Sequence, residues 1–201
     1  RCDISAYATC PTINTLGTGV ALNNFRSGLG AAYPTYYGNG RQQYLIRASE
    51  LIALGMTAGT LNSLAFSVGG TLGDPNTLNG YTIKLAQTSV TALTTSFQAP
   101  TFTTVFGPVN FKPTLNSINT HIFSTGFNWN GTSNILVDIC FSNQVVGNAA
   151  YQTYQTTSSF VSTTYYQADG SGGAGACTRL TGSTGSVRPN MIFTHTPLKT
   201  A

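Results

Sequence analysis

Few side chains in this sequence could carry acid–base chemistry. The candidates are Asp3, Glu50, Asp74, Asp138 and Asp169, together with His121 and His195. A glycosidase needs two carboxyl groups that face each other across a cleft, and Glu50 with Asp138 is the one pair that we consider for that role. Each has a structural alternative, because Glu50 fits a helix start or an ion pair and Asp138 fits an outward position on a strand.

Other catalytic patterns are missing from the sequence. It has no GxSxG motif, and the glycines between residues 170 and 175 do not link a strand to a helix, as a phosphate-binding or dinucleotide-binding loop would. Both histidines lie in strand-like stretches, where a hydrogen-bonded structural histidine is the common case. The sequence therefore predicts a protein that is not an enzyme, with a hydrolase as a remote alternative.

Aromatic side chains offer a possible binding surface. Tyr33, Tyr36 and Tyr37 lie in a loop rich in proline and glycine, and Trp129 is the single tryptophan. Aromatic rings beside amides and hydroxyls suit sugars, which stack on ring faces and accept or donate hydrogen bonds. Two hypotheses stay open for these rings: a carbohydrate-binding platform, or caps over the open ends of a β-sandwich.

A turn offers oxygen ligands that could hold a structural calcium ion. Asp74, Asn76 and Asn79 are close together in the sequence, but they supply only one carboxylate. No other cofactor is expected. The cysteines lack the CxxC-like spacing and the neighbouring histidines of a metal site.

The four cysteines allow three disulfide pairings. Proximity in the sequence favours Cys2 with Cys10, which would fasten the amino terminus, and Cys140 with Cys177, which would close a longer loop. Disulfides are typical of oxidising compartments. We therefore expect a secreted, extracellular or cell-surface protein.

The composition is unusual in charge rather than in hydrophobicity. Only 7% of the 201 residues are charged, whereas 41% are hydrophobic, against a typical charged share of about 25%. This balance excludes intrinsic disorder, and no apolar run is long enough for a membrane span. The nine basic residues are scattered, so nucleic-acid binding is not expected either.

Alternation of apolar and polar residues predicts an all-β fold, because side chains on a strand point to opposite faces in turn. Inward sets are expected at Leu64–Val68, Tyr81–Leu85 and Ile135–Phe141. Many short strands separated by turn signals favour a two-sheet antiparallel, jelly-roll-like β-sandwich. One short helix is expected near residues 49–55, with Ser49 as its N-cap and Gly55 at its end. Residues 1–201 read as one domain, with a disulfide-fastened segment at 1–30 and a tail at 196–201.

The stretch Thr15–Leu22 alternates bulky and small residues, so one face of a strand there would be nearly bare. Its bulky positions are Leu16, Thr18, Val20 and Leu22. Such a strand either pairs within its own sheet or complements the open sheet edge of a neighbouring molecule.

Several motifs occur in an order that resembles a module of secreted multidomain surface proteins of Bacteroidota. The resemblance spans roughly residues 30–195. Its first half is Gln43-Tyr44-Leu45, Ala48-Ser49-Glu50-Leu51, Gly55 and Leu64-Ala65-Phe66. Its second half is Phe127–Asn134, Asp138-Ile139-Cys140-Phe141 and Arg188-Pro189-Asn190. The resemblance implies an exported β-sandwich, often carried by the type IX route, that accompanies adhesins, gliding-associated proteins and polymer-degrading enzymes without being the catalytic part.

Glu50 and Arg188 are two of the few charges, and both lie inside these motifs, so we expect them to form an internal ion pair. Taken together, the sequence predicts a non-catalytic structural or adhesion protein of a bacterial surface. Its partners would be copies of itself, as in a filament built by strand complementation, or other surface proteins. A carbohydrate-binding module is the alternative, with glycans as partners.

Overall fold

The computed structural model describes residues 10–170 and 175–198 of the chain. Thirteen β-strands and one α-helix lie in this part. The strands are β1 Thr12–Leu16, β2 Ala21–Leu22, β3 Asn39–Ile46, β4 Gly59–Leu72, β5 Leu78–Thr88, β6 Thr103–Phe111, β7 Ser117–Trp129, β8 Asn134–Ser142, β9 Ala150–Thr157, β10 Thr163–Ala168, β11 Ser183–Gly185, β12 Val187–Pro189 and β13 Met191–Pro197, and the helix is α1 Ala48–Ala53.

The strands form two antiparallel sheets, as the alternation predicts. Sheet I has the order β1-β13-β4-β9-β12, with β7 also paired to β4 and β2 to β9. Sheet II has the order β11-β10-β3-β8-β5-β6. The all-β, two-sheet sandwich with one short helix is therefore confirmed.

The main core lies between the two sheets and contains the predicted inward side chains. Leu64, Phe66 and Val68 of β4 are buried, as are Ile83 and Leu85 of β5. They belong to one hydrophobic cluster that also includes the inward residues of β8. Alternation with period two predicted this face correctly, because the direction of each side chain on a strand depends only on the local backbone geometry.

The outward positions of β8 differ from the prediction. Leu136, Asp138 and Cys140 are all buried, although they were expected to face solvent. Leu136 packs with Leu45 and Leu93 in a second small cluster on the far side of sheet II. Chain segments distant in the sequence cover this side, and local alternation carries no information about such coverage.

Two predicted ends of elements were wrong by a few residues. The N-cap of α1 is Arg47 rather than Ser49, because a carboxylate oxygen of Glu50 accepts a hydrogen bond from the Arg47 backbone N–H at 2.9 Å. Gly55 does follow the helix end, with φ at +79°. Strand β13 continues to Pro197, two residues into the stretch that was expected to be a tail.

Candidate functional site

Two of the four predicted sugar-stacking rings lie inside the protein. Tyr33 and Trp129 are 0% and 1% exposed, so the prediction that they form a binding platform is wrong. Trp129 donates its indole N–H to the Ser133 carbonyl at 2.7 Å, which fixes the turn before β8. The loop that carries Tyr33 turns inward rather than outward, because Tyr33 finds a hydrogen-bond partner and aromatic neighbours within the core.

That partner is His121 of β7, whose Nε2 lies 2.8 Å from the Tyr33 hydroxyl. Aromatic rings surround the imidazole, with the Phe106 centroid at 4.6 Å and the Phe111 centroid at 4.7 Å. Burial disfavours the charged imidazolium and lowers the pKa of His121 to about 3. His121 is therefore neutral at physiological pH and serves as a core residue.

Tyr36 and Tyr37 are only partly buried. Their rings pack edge to face at a centroid distance of 5.2 Å, and the Arg26 guanidinium lies 5.6 Å from the Tyr36 ring. These two tyrosines therefore remain near the surface, but without the other two predicted members of the platform.

The two carboxylates considered for catalysis lie in separate ion pairs. Glu50 pairs with Arg188, as the sequence predicted, and Arg188 also donates to the Leu45 carbonyl. Asp138 pairs with Arg41 at 2.6 Å and accepts a further hydrogen bond from the Gln43 side chain at 2.6 Å. Each carboxylate thus has an arginine as its partner. Glu50 and Asp138 are therefore engaged in ion pairs and are not paired with each other.

In the turn predicted to bind calcium, the one carboxylate pairs with a lysine of the protein. Asp74 accepts a hydrogen bond from the Lys112 ammonium at 3.1 Å, and the described residues contain no group of three or more His, Cys, Asp or Glu side chains that could hold a metal ion. The backbone N–H of Asn79 donates a hydrogen bond to the side-chain oxygen of Asn143 at 2.7 Å. The one carboxylate of the predicted calcium set thus pairs with a lysine, and calcium binding by Asp74, Asn76 and Asn79 stays a prediction.

The predicted strand Thr15–Leu22 is divided in two. Strand β1 ends at Leu16, and Gly17 has φ at +90°, a left-handed conformation that breaks the alternation. Leu16 is buried in the core, whereas Val20 is 86% exposed, so the bulky residues do not share one face. The first part pairs with β13 and the second part, β2, pairs with β9. Pairing within its own sheet is therefore the observed arrangement.

One of the two predicted disulfides is present among the described residues. Cys140 is bonded to Cys177, which links β8 to a single 3-10 turn at Ala176–Thr178. The other predicted pair includes Cys2, which lies outside the described residues.

A surface that the sequence did not single out is the outer face of β1, β13, β4 and β7 in sheet I. These four strands contain no Asp, Glu, Lys or Arg. Their pairing aligns outward side chains into rows across the sheet. One row is Ile13, Thr194, Ser63 and Ile122, and the next is Thr15, Ile192, Ala65 and Thr120. We call this surface the isoleucine face.

Small and large residues shape the isoleucine face into a shallow groove. Ser63 and Ala65 form its floor along β4, and isoleucines form its two sides. The volume of the groove is about 310 Å³. Ile13 and Ile118, which line the groove on opposite sides, are 75% and 57% exposed, and Ile122 of the same face is 74% exposed. The Ser63 hydroxyl donates a hydrogen bond to the Thr194 hydroxyl at 2.8 Å, so these two groups satisfy each other. The surface is therefore mainly apolar in character.

The sequence contains a signal for this face. The stretch Ile118–Phe123 has isoleucine at 118 and 122 but phenylalanine at 123. Apolar residues at both even and odd positions of a strand mean that either both faces of the strand are buried or an apolar face is exposed. The position of β7 in sheet I decides between these two cases and leaves the isoleucines exposed.

The fold and these sites define the chain as a two-sheet antiparallel β-sandwich with a disulfide and an uncharged sheet face. Comparison with family models, curated proteins and solved structures gave no match. None of the helices in residues 10–170 and 175–198 is long and apolar enough to cross a membrane.

Proposed function

We propose that this chain is a non-catalytic, extracellular structural or adhesion module that associates with copies of itself through the isoleucine face. The observation that carries the proposal is the exposure of Ile13, Ile118 and Ile122 on four neighbouring strands without a charged side chain. Exposed and contiguous apolar surface, unlike scattered single residues, is typical of a protein contact.

Charge favours a second copy as the occupant. The chain has a formal net charge of +4, and two identical molecules therefore repel each other in general. The isoleucine face itself adds nothing to that repulsion, because no charged side chain belongs to its strands. Two copies can approach there without bringing like charges together or burying an unpaired charge.

The size of the face indicates a weak contact. Four strands spaced by about 4.8 Å, with outward side chains every ~6.8 Å, give a flat area of about 300 Å². A pair of such faces would bury about 600 Å² in total, and a stable interface needs about 1,200 Å² or more. The contact therefore suits association at high local concentration, as on a surface or in an array of modules.

The absence of catalysis is supported by how the described carboxylates are used. Glu50, Asp74 and Asp138 each pair with a basic side chain. Asp169 accepts hydrogen bonds from the backbone N–H groups of Gly38 and Gly147 at 3.0 and 2.9 Å. Each acidic group thus has a structural role. The disulfide between Cys140 and Cys177 supports the extracellular location, since such bonds persist in oxidising compartments.

Sedimentation velocity over a wide concentration range tests the proposal. We expect the weight-average mass of the wild-type protein to rise with concentration, and Ile122→Lys to abolish the rise because it places a charge in both copies of the contact. Val146→Lys is the matched control, since Val146 is also 74% exposed but lies in the loop after β8. A wild-type protein that stays monomeric at millimolar concentration, or equal association by Ile122→Lys and the wild type, would refute the proposal.

A further inference from the structure

A second surface groove lies on sheet II, away from the strands of the isoleucine face. It is formed where β10 extends beyond its short partner β11, and its volume is about 340 Å³, within the range of small-ligand sites. Its lining residues are Tyr165, Tyr166, Gln167, Arg179, Thr181, Gly182 and Ser183. We call it the Arg179 groove.

Arg179 supplies the charge of this groove. Its guanidinium lies 4.5 Å from the centre of the Tyr166 ring, and the side chain is exposed. In the part of the chain that the structure describes, every ion pair joins other residues. Since a guanidinium has five N–H donors and no acceptor, Arg179 presents unused donors into the groove.

The backbone beneath Arg179 is fixed at several points. The preceding turn is bonded to β8 through Cys177, the Arg179 N–H donates to the Ala176 carbonyl at 3.1 Å, and the Arg179 carbonyl accepts from the Arg41 guanidinium. Contacts of this kind hold the main chain in place before a ligand arrives. A side chain on a fixed main chain has less conformational entropy to lose on binding than one on a mobile loop.

Neutral polar groups complete the groove. Thr181 and Ser183 present hydroxyl side chains at exposed positions. The side-chain N–H of Gln167 donates to the Arg26 carbonyl at 2.9 Å and its Oε1 is buried, so the polar atoms of Gln167 are not counted among the binding groups of the groove. The groove thus combines one planar cation, the aromatic ring of Tyr166 and two hydroxyls.

We propose that the Arg179 groove binds an acidic sugar residue, one that carries a carboxylate on a hydroxylated ring. The guanidinium fork matches a carboxylate through two parallel hydrogen bonds. The hydroxyls of Thr181 and Ser183 can hydrogen-bond to the hydroxyls of the sugar, and the Tyr166 ring beside the guanidinium provides apolar contact for its C–H face. A single cation favours a monoanionic carboxylate over the more highly charged groups that clusters of arginine bind.

Isothermal titration of the full chain with an oligogalacturonate, and with a neutral galactose oligomer of the same length, tests this assignment. We expect binding of the oligogalacturonate alone. Arg179→Gln should weaken it about tenfold or more, because a charge-assisted pair is lost, and Tyr166→Ala should also weaken it. Arg179→Lys should give an intermediate affinity, since it keeps the charge but not the fork.

Arg26→Gln is the matched control. Arg26 is also exposed and lies over two aromatic rings, Phe25 and Tyr36, but it does not line the groove. Its substitution removes the same charge and should change the affinity less than twofold. Because Arg179 is at the surface, an unchanged thermal unfolding midpoint would verify that Arg179→Gln is folded.

Four results would overturn the assignment. They are no heat of binding, equal binding of the neutral oligomer, an equal loss with Arg26→Gln, and displacement of oligogalacturonate by dextran sulfate at lower concentration. The third would indicate attraction by net charge alone, and the fourth a site for sulfate groups. The isoleucine face shares no residue with this groove, so failure here leaves the sedimentation test unaffected.

Discussion

Acid should destabilise this protein through His121. Burial lowers the pKa of this imidazole from 6.5 to about 3 in the folded state, whereas in the unfolded chain it returns to about 6.5. Between these two values the unfolded state binds more protons than the folded state. The free energy of unfolding therefore falls as the pH falls from about 6.5 towards 3.

The size of the effect follows from the two pKa values. One pKa unit corresponds to about 1.4 kcal/mol, so His121 alone should lower the free energy of unfolding by about 2 kcal/mol at pH 5 and by about 3 kcal/mol at pH 4, relative to pH 7. His195 is also buried, and burial lowers its pKa in the same direction. The contribution of His121 must therefore be isolated by substitution.

Urea unfolding followed by the fluorescence of Trp129 provides the assay, because this single tryptophan is 1% exposed and reports on the core. His121→Gln keeps an acceptor for the Tyr33 hydroxyl but cannot take up a proton. Its loss of stability between pH 7 and pH 5 should be smaller than that of the wild type by about 2 kcal/mol. His195→Gln is the control and should retain the contribution of His121. Equal pH dependence in the wild type and His121→Gln would show the reasoning to be wrong.

Three further predictions concern stability. Asp138→Ala should lower the free energy of unfolding by about 3 kcal/mol, because it leaves a buried guanidinium unpaired, whereas Asp74→Ala, in an exposed pair, should cost less than about 1 kcal/mol; urea titration of both variants at pH 7 makes the comparison. Arg188→Ala should also cost about 3 kcal/mol and should make the amide hydrogens of α1 exchange faster than those of the strands of sheet II; unchanged exchange in α1 would contradict this. Replacing Cys140 and Cys177 together by alanine should cost about 4 kcal/mol, from the entropy of closing a loop with a sequence separation of 37, and a guanidinium titration checks it.

Scarcity of charge made one long-range contact predictable. Glu50 and Arg188 are 138 positions apart, yet their pairing could be anticipated because few charges were available and both lay inside the motifs. Burial of a charge without a partner is costly, so scarce charges within core elements must find one another. The same reasoning did not reach Arg41 and Asp138, because β8 was expected to have one face in solvent.

Tyr33 shows where loop composition misled the prediction. Proline and glycine indicate irregular backbone, but they do not determine whether that backbone lies over the surface or folds between the sheets. Tyr33 lies inside because His121, 88 positions later, is its hydrogen-bond partner. Aromatic rings of β5 and β6 also pack against the Tyr33 ring. The prediction of sugar-binding rings therefore failed at Tyr33 and Trp129, while Tyr165 and Tyr166, which were not among the predicted rings, line the groove beside Arg179.

The sequence by itself determined the all-β class, the inward faces of the strands and the scarcity of titratable side chains. These properties depend on period-two alternation and on residue counts, which are local or additive. Only the tertiary structure decided which face of β8 is covered, where Thr15–Leu22 breaks, and which apolar side chains remain exposed on sheet I. Those outcomes depend on how distant segments pack against each other, and no local pattern of residues encodes which strand becomes the neighbour of another.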